Sequence, residues 1–139
     1  MTIRKATAHD IPVLQKLFHL LNESYDHSET NIHLALTDKH TSVLVLEEDN
    51  IVVATGTITF RTIPTAGRIG YIDDVVADSN YRGRGFGRAI SEACIAEARI
   101  QHCVRIELTS RPARIAANKL YQSLGFTLRE TNSYVMHLL

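Results

Sequence analysis

The sequence contains no tryptophan, only two cysteines and three prolines, and no net charge. Two cysteines, Cys94 and Cys103, are too few for a disulfide framework and match no zinc-binding pattern, so we expect reduced thiols and a cytoplasmic protein. Basic and acidic residues number 15 each, which argues against a general nucleic-acid-binding protein, since that class carries a basic excess. The chain also lacks a signal-peptide segment after Met1 and an apolar run long enough to cross a membrane. We therefore expect neither nucleic acid nor membrane as a partner.

What the chain does contain is enough apolar material for one folded domain. Its 139 residues are 45% hydrophobic, which suits a single domain with its own core. We find no internal repeat, linker or low-complexity segment, so the prediction is one domain over residues 1–139.

The most distinctive segment is residues 80–89, in which glycines alternate with arginines. The glycines are Gly83, Gly85 and Gly87, and the arginines are Arg82, Arg84 and Arg88. A strand-like stretch, residues 70–77, precedes the segment, and a helix-like stretch, residues 88–101, follows it. Glycine lets a ligand approach the main chain closely, and the start of a helix offers unpaired N–H groups and a positive dipole end. The pattern therefore favours an anion site of the kind that holds pyrophosphate; the alternative is a glycine-rich turn with solvated arginines.

The spacing of the glycines excludes two common phosphate-binding patterns. The Gly-x-Gly-x-x-Gly pattern fails because Gly87 falls one residue early, and the P-loop pattern fails because no Gly-Lys-Ser/Thr follows. The segment does fit Arg/Gln-x-x-Gly-x-Gly/Ala, with Arg82, Gly85 and Gly87. In this it resembles the coenzyme A pyrophosphate signature of the GNAT N-acetyltransferase superfamily.

The number and order of predicted elements extend this resemblance over nearly the whole chain. Apolar periodicity and turn residues predict strands at 2–6, 42–46, 51–61, 68–78, 104–108, 126–129 and 134–138, and helices at 10–22, around 32–36, at 88–101 and at 110–124. Thr7 and Asp10 suit a capping box for the first helix, Ser110 a cap for the last, and Gly125 its end. The strand–helix–strand segment in the middle predicts a parallel pair within an otherwise antiparallel sheet.

The resemblance implies an α/β (α+β) fold with a mixed, mostly antiparallel central sheet flanked by helices. It also implies a splayed parallel strand pair that admits acetyl-CoA as co-substrate, with no metal. The resemblance implies that the backbone of Val75, Val76 and Ala77 contacts the pantetheine and the acetyl carbonyl. The other residues that would bind the coenzyme are those of the glycine segment, where the arginines add charge for its phosphates: Arg82, Gly83, Arg84, Gly85, Phe86, Gly87 and Arg88.

Two adjacent acids, Asp73 and Asp74, interrupt the strand that leads into the glycine segment. Carboxylates resist burial, and neighbours on a strand point to opposite faces, so at most one faces a cleft unless the strand bulges. The pair resembles the Glu-Asp pair of the polyamine and glucosamine-phosphate acetyltransferase branches. The resemblance implies that Asp73 binds and deprotonates an amine, with Asp74 as the alternative or as a structural residue. Tyr71 stands where the histone-acetylating branch has its catalytic glutamate, which counts against acetylation of protein lysines.

Tyr121 lies four residues before Gly125 and Phe126 and matches a second signature of the same superfamily. In many members that tyrosine protonates the departing coenzyme A thiolate, as general acid catalysis requires. The alternative is a tyrosine on the buried face of an amphipathic helix. The asparagine usual seven residues before it is Arg114 here, and Asn118 is expected to take over its coenzyme contact.

The predicted function is transfer of an acetyl group from acetyl-CoA to a primary amine of a small molecule, by direct attack in a ternary complex. The alternatives are a non-catalytic acetyl-CoA-binding module and a protein N-acetyltransferase of the same fold. Residues 23–40 and 62–67 are expected to select the acceptor, and the three histidines at 27, 33 and 40 are expected to be solvated. Because the family is often dimeric, a homodimer is a further expectation.

Overall fold

The computed structural model describes residues 1–139 and contains five strands and four α-helices. The strands are β1 (Thr2–Lys5), β2 (Thr41–Glu48), β3 (Ile51–Ile63), β4 (Gly67–Ala77) and β5 (Arg105–Leu108). The helices are α1 (Ile11–Leu21), α2 (Glu29–Thr37), α3 (Phe86–Ile100) and α4 (Ile115–Ser123), with short 3₁₀ turns at Ala8–Asp10 and Ser79–Tyr81. The chain divides into two compact units, Met1–Thr109 and Ser110–Leu139. No helix is both long enough and apolar enough to cross a bilayer.

The first unit is built on a five-stranded sheet in the order β1-β2-β3-β4-β5. Neighbouring strands are antiparallel except β4 and β5, which are parallel. Helix α3 forms the connection between the two parallel strands, as such a pair requires. The predicted mixed sheet with one parallel step is therefore confirmed.

The two faces of the sheet are covered by different helices. Val43 and Val45 of β2 pack with residues of α1 and α2 in one apolar cluster. On the other face, a Cβ built on Gly56 of β3 would lie 3.2 Å from Cγ2 of Ile90 and 3.4 Å from Sγ of Cys94, both in α3. Glycine at position 56 thus lets α3 approach the backbone of β3 directly.

The entry to α1 is fixed by the capping box that the sequence predicts. The Thr7 N–H donates to Oδ2 of Asp10 at 2.7 Å, and the Arg4 guanidinium donates to both oxygens of the same carboxylate at 2.7 and 2.9 Å. Arg4 also donates to Oε1 of Glu47 at 2.7 Å, so one guanidinium joins β1, β2 and the start of the helix. The hydrogen bonds from Arg4 and its positive charge hold the pKa of Asp10 below its ordinary value.

The second unit, Ser110–Leu139, contains the turn before α4, the helix itself and the residues that follow it. The helix begins at Ile115, so the prediction that Ser110 caps it is wrong. The reason is a competing turn: Nδ2 of Asn118 donates to the carbonyls of Arg111 and Arg114, at 2.9 Å each, which stabilises a non-helical approach. The predicted end is confirmed by Gly125, which has a φ of 103° and donates to the Gln122 carbonyl.

The two strands predicted after α4 are absent from the structure. Residues 126–139 form neither helix nor strand, and residues 127–139 are all exposed. A strand requires a neighbouring strand edge to pair with, and local sequence preference cannot supply one. The predictions for residues 126–129 and 134–138 are therefore wrong for the single chain.

Replacing Gly56 by valine should destabilise the protein, because its side chain would be forced against Ile90 and Cys94. Overpacking of this kind costs about 1–3 kcal/mol of unfolding free energy, which urea denaturation would measure. As a control, Ala113→Val adds the same type of side chain at an exposed turn and should change stability by less than about 0.5 kcal/mol. Equal stability of the two variants would contradict the proposed close approach of α3 to β3.

Candidate active site

The candidate site begins at an irregularity in β4. Thr57 pairs with Asp73 and Thr55 pairs with Val76, so Gly56 alone stands opposite Asp74 and Val75. Two residues opposite one define a β-bulge. Asp74 has a φ of 54°, in the left-handed region that a non-glycine residue seldom occupies. Backbone strain at this position is characteristic of functional sites.

The bulge interrupts the alternation of side chains along β4. Ile72 and Val75 are buried, whereas Asp73 and Asp74 between them are both exposed. The expectation that strand alternation places the two acids on opposite faces is therefore wrong, because the extra residue rotates Asp74 out of the regular pleat. The structure places two adjacent carboxylates at the surface.

Both acids have a raised pKa. Although each residue is exposed, surrounding protein atoms partly desolvate its carboxylate, which disfavours the charged form. Desolvation, with a further contribution from the neighbouring charge of Asp74, raises the pKa of Asp73 to about 6. Desolvation also raises the pKa of Asp74 above its ordinary value. Asp73 thus holds a proton more tightly than an ordinary aspartate and approaches the range useful to a general base.

Hydroxyl groups lie on the same face of the sheet as Asp73. Tyr71 precedes it by two residues and is paired with Thr59 of β3, as Asp73 is with Thr57. The Tyr71 hydroxyl donates to Oγ1 of Thr109 at 3.2 Å, across the parallel pair. Sequence reasoning missed this link, because no local pattern relates two residues that are 38 positions apart in the chain.

The parallel pair opens directly beside the acids. Pairing between β4 and β5 extends from Ile69–Arg105 to Ile72–Leu108 and ends there. The remainder of β4, which includes Val75, Val76 and Ala77, continues to pair with β3 only. The other edge of that stretch therefore makes no hydrogen bonds within the sheet. The predicted contact between its backbone and a coenzyme requires such an open edge.

The chain leaves β4 through a turn held by Asp78, a residue that sequence reasoning did not select. The Asp78 N–H donates to the Val53 carbonyl at 2.7 Å, which fastens the end of β4 to β3. Its buried side chain accepts from the Asn80 N–H at 3.0 Å and so caps the 3₁₀ turn. Asp78 thereby fixes the direction in which the glycine segment departs.

The glycine segment meets the conditions for an anion site. Gly83 and Gly85 have φ values of 78° and 79°, and Gly85 is the N-cap of α3. A Cβ built on either would meet no atom within 4 Å, so open space lies beside the backbone. The first bond of the helix runs from the Ala89 N–H to the Gly85 carbonyl at 3.0 Å. The N–H groups at such a helix start suit a pyrophosphate, and the residues present fit one.

The arginines of the segment are exposed and partly held by local contacts. The Arg84 guanidinium lies 5.1 Å from the ring centre of Phe86, and a nitrogen of it lies 4.0 Å from Glu48. Arg88 donates to Glu92 at 3.0 Å within α3. Phe86 itself is buried, so its side chain anchors the start of the helix. Phe86 can therefore contact a ligand only through its backbone.

Tyr121 lies in α4, within the second unit. It is buried, and its ring meets Phe126 edge-on, with 6.0 Å between ring centres. The Phe126 N–H donates to the Tyr121 carbonyl at 3.0 Å, which fixes the tyrosine to the helix end. Asn118 uses its amide nitrogen to hold the turn before α4. Its contact with the coenzyme, and the role of Tyr121 as an acid, stay predictions.

No group of three or more histidine, cysteine, aspartate or glutamate side chains is arranged to hold a metal ion. His27 contacts the ring of His19 edge-on, with 5.7 Å between ring centres.

Cys94 is a buried residue of α3, and desolvation raises the pKa of its thiol to about 12. A thiol with that pKa is a poor nucleophile.

Residues 11–126 match the acetyltransferase (GNAT) family. The chain therefore belongs to this family. Among curated proteins it is similar to the N-acetylaspartate synthetase of Xenopus tropicalis, with 45% identity over 49 residues, which is 35% of this chain and 18% of that protein. The matches cover between 18% and 40% of the length of the curated relatives.

Solved structures resemble the chain over nearly its full length. A candidate acetyltransferase from Agrobacterium tumefaciens superimposes with a TM-score of 0.88 at 25% identity, covering 99% of this chain and 100% of that one. A predicted acetyltransferase from Clostridium acetobutylicum, crystallised with acetyl-CoA, has a TM-score of 0.79 at 22% identity and covers 97% and 95% of the two chains. The second likeness concerns the fold alone.

The raised pKa of Asp73 predicts how stability depends on pH. Between pH 3.8 and about 6 the folded chain binds more protons at Asp73 than the unfolded chain does, so stability falls as pH rises through this window. Asp73→Asn cannot titrate and should remove that loss. Relative to the wild type, the variant should gain stability above about pH 7 and gain none near pH 4.

Urea denaturation of each variant and of the wild type at a series of pH values measures this difference, and Asp38 provides a control of opposite sign. A hydrogen bond from the His40 N–H, 2.8 Å long, lowers the pKa of Asp38. This carboxylate contributes stability above pH 3.8 that is lost on acidification. Asp38→Asn should therefore lose stability relative to the wild type as pH rises. The same pH trend in both variants would contradict the environment assigned to Asp73.

Proposed function

We propose that this chain transfers an acetyl group from acetyl-CoA to the primary amine of a small molecule, by direct attack in a ternary complex. The observation that carries the proposal is the bulge in β4. It exposes Asp73 and Asp74 immediately before an open strand edge and a glycine-rich helix start. Along this one continuous stretch, the acids suit an amine, the open strand edge suits a thioester, and the helix start suits a pyrophosphate.

The coenzyme would bind along the second half of β4 and the start of α3. Main-chain groups of Val75, Val76 and Ala77 face pantetheine and the acetyl group, and residues 82–88 hold the pyrophosphate. The structural likeness to an acetyltransferase crystallised with acetyl-CoA supports this choice of ligand. The arginines add charge for the remaining phosphate.

Asp73 would act on the acceptor. An amine arrives mostly as ammonium, which a carboxylate attracts, and it must lose a proton before its nitrogen can attack. Asp73 takes that proton, directly or through water, and its pKa of about 6 gives it more basicity than an ordinary aspartate has. The nitrogen lone pair then forms a bond to the acetyl carbonyl carbon. Main-chain N–H groups of the open β4 edge stabilise the resulting oxyanion.

Tyr121 would complete the reaction. When the tetrahedral intermediate collapses, the carbon–sulfur bond breaks and its electron pair leaves with sulfur. The Tyr121 phenol would supply the proton that the thiolate takes, and the attacking nitrogen, which carries one proton too many after the bond forms, would return a proton to the phenolate, so the products are an acetamide and free coenzyme A. The family match over residues 11–126 extends from the first compact unit into the second, which supports the proposal of a single acetyltransferase domain.

The acceptor is proposed to be a small amine, such as a polyamine, an amino sugar phosphate, an aminophosphonate or an amino acid. The similarity to an N-acetylaspartate synthetase favours including amino acids. Tyr71 stands where a histone-type enzyme would carry its acid, and this disfavours protein lysine as acceptor. We also propose that the chain forms a homodimer.

Thiol release from acetyl-CoA, measured across a panel of such amines, tests the proposal. Tyr121→Phe should lower turnover by about 10²–10⁴-fold, the usual contribution of a general acid, with an unchanged melting temperature. Asp73→Asn should lower kcat/KM for the amine and leave acetyl-CoA affinity intact. Asp74→Asn should have the smaller effect and should move the acidic limb of the pH–rate profile to lower pH, because it relieves Asp73 of a neighbouring charge.

Different outcomes of that assay contradict different parts of the mechanism. A larger catalytic loss in Asp74→Asn than in Asp73→Asn would exchange the roles of the two acids. Full turnover in Tyr121→Phe with a lowered melting temperature would make Tyr121 a core residue. Acetyl-CoA binding without thiol release on any amine would favour the non-catalytic binding module.

Replacing Gly85 or Gly87 by glutamate should abolish acetyl-CoA binding in calorimetry, because each places a side chain and a negative charge where the pyrophosphate lies. Gly67→Glu is the matched control. Gly67 also has a positive φ, 97°, and open space around its Cβ direction, but it lies in the turn before β4. The control should bind acetyl-CoA normally. Equal affinity in all three variants would refute the anion site.

A further inference from the structure

Polar side chains of β4 and β5 lead away from Asp73 along one face of the sheet. Tyr71 lies two residues before Asp73 and so faces the same way, and its partner in the parallel pair is Glu107. In the next row along this face, Ile69 is paired with Arg105. An exposed carboxylate therefore stands at one end of this face and an exposed guanidinium at the other.

Arg105 is held in place by Glu107 on the same strand. Its Nε donates to Oε2 of Glu107 at 2.7 Å, and the side chains are 44% and 17% exposed, respectively. A guanidinium has five N–H donors, so one carboxylate does not exhaust it. Glu107 offsets part of the positive charge, but hydrogen bonds from arginine to a carboxylate or phosphate are directional and charge-assisted. The ion pair thus positions Arg105 and leaves it able to bind a second anion.

The surface between the two charged ends is neutral and polar. The hydroxyl of Tyr71, a half-buried residue, donates to Oγ1 of the exposed Thr109 at 3.2 Å. Asp73 is two residues from the row of Glu107 and four from the row of Arg105, which corresponds to about 7–13 Å along the strands. The two ends are therefore separated by the length of a small molecule.

We propose that the acceptor is a zwitterionic amine whose anionic group lies about 7 Å or more from its nitrogen, and that Arg105 binds this anion while Asp73 binds the ammonium. The inference rests on the proposed function and narrows its acceptors. ω-Amino acids and amino sugar phosphates carry such an anion, and arginine recognises carboxylate and phosphate by the same bidentate geometry. A polyamine instead presents a second ammonium, which the guanidinium repels, so this face selects against polyamines.

Thiol release tests the inference with matched pairs of acceptors. Each ω-amino acid, from glycine to aminohexanoate, is compared with the amino alcohol of the same chain length, which lacks the charge. We expect the ratio of their kcat/KM values to favour the amino acid increasingly with chain length and to reach about tenfold or more, the usual effect of a hydrogen bond to a charged group. Diamines of the same lengths should be the poorest acceptors. Glucosamine 6-phosphate against glucosamine makes the same comparison for a phosphate.

Arg105→Gln should reduce the ratio of amino acid to amino alcohol to nearly one. Because both acceptors are measured on the same variant, the ratio does not depend on the fraction of protein that is folded. The matched control is Arg61→Gln, which removes the same charge from an exposed arginine paired with Ile69 on its other side. The control should preserve the ratio, since the fully buried Ile69 separates Arg61 from Arg105.

The outcomes separate this inference from the proposed function. Equal use of amino acids and amino alcohols by the wild type overturns the inference, as does an equal fall of the ratio in Arg105→Gln and Arg61→Gln. Absence of thiol release with every amine contradicts the proposed function instead. Calorimetry of the same pairs with coenzyme A present then decides the inference. Tighter binding of the amino acid that Arg105→Gln removes supports it, and equal binding of the two acceptors overturns it.

Discussion

The left-handed turn of the backbone at Asp74 is the constraint on which the candidate site depends. A non-glycine residue in this region costs free energy, of order 1 kcal/mol, and pairing with β3 on both sides of the bulge maintains it. Asp73 keeps its partner Thr57, and Val76 keeps Thr55. Ile72 and Val75 stay buried, so the strand remains anchored while its two carboxylates come to the surface. Burial of Ile72 and Val75 holds the strand in place on both sides, so the bulge between them can expose Asp73 and Asp74.

The same stretch of chain fixes the glycine segment. Asp78 ties the end of β4 to β3 and caps the turn that follows. Helix α3 then lies directly on Gly56, the residue opposite the bulge. The bulge, the loop and the helix start are therefore positioned by one pair of strands, and a change in the register of β3 against β4 would displace all of them.

Local signals in the sequence were enough to predict much of this arrangement. Periodicity and turn residues predicted the order of elements through α4, and the glycine spacing indicated the helix start at which the anion site is proposed. The bulge was not predictable, because it depends on what stands opposite, at Gly56. Ser110 failed as a cap because Asn118 stabilises a competing turn. The strand expected at residues 134–138 requires a partner edge that no local pattern can reveal.

The fixed attachment of the glycine segment also affects the order of events in solution. A loop held at Asp78 on one side and by a helix pressed against Gly56 on the other has little freedom left to lose. A ligand that docks on such a preorganised surface incurs little ordering cost. The proposed pyrophosphate site would therefore exist before any acceptor arrives, and the coenzyme would already be bound when the amine enters.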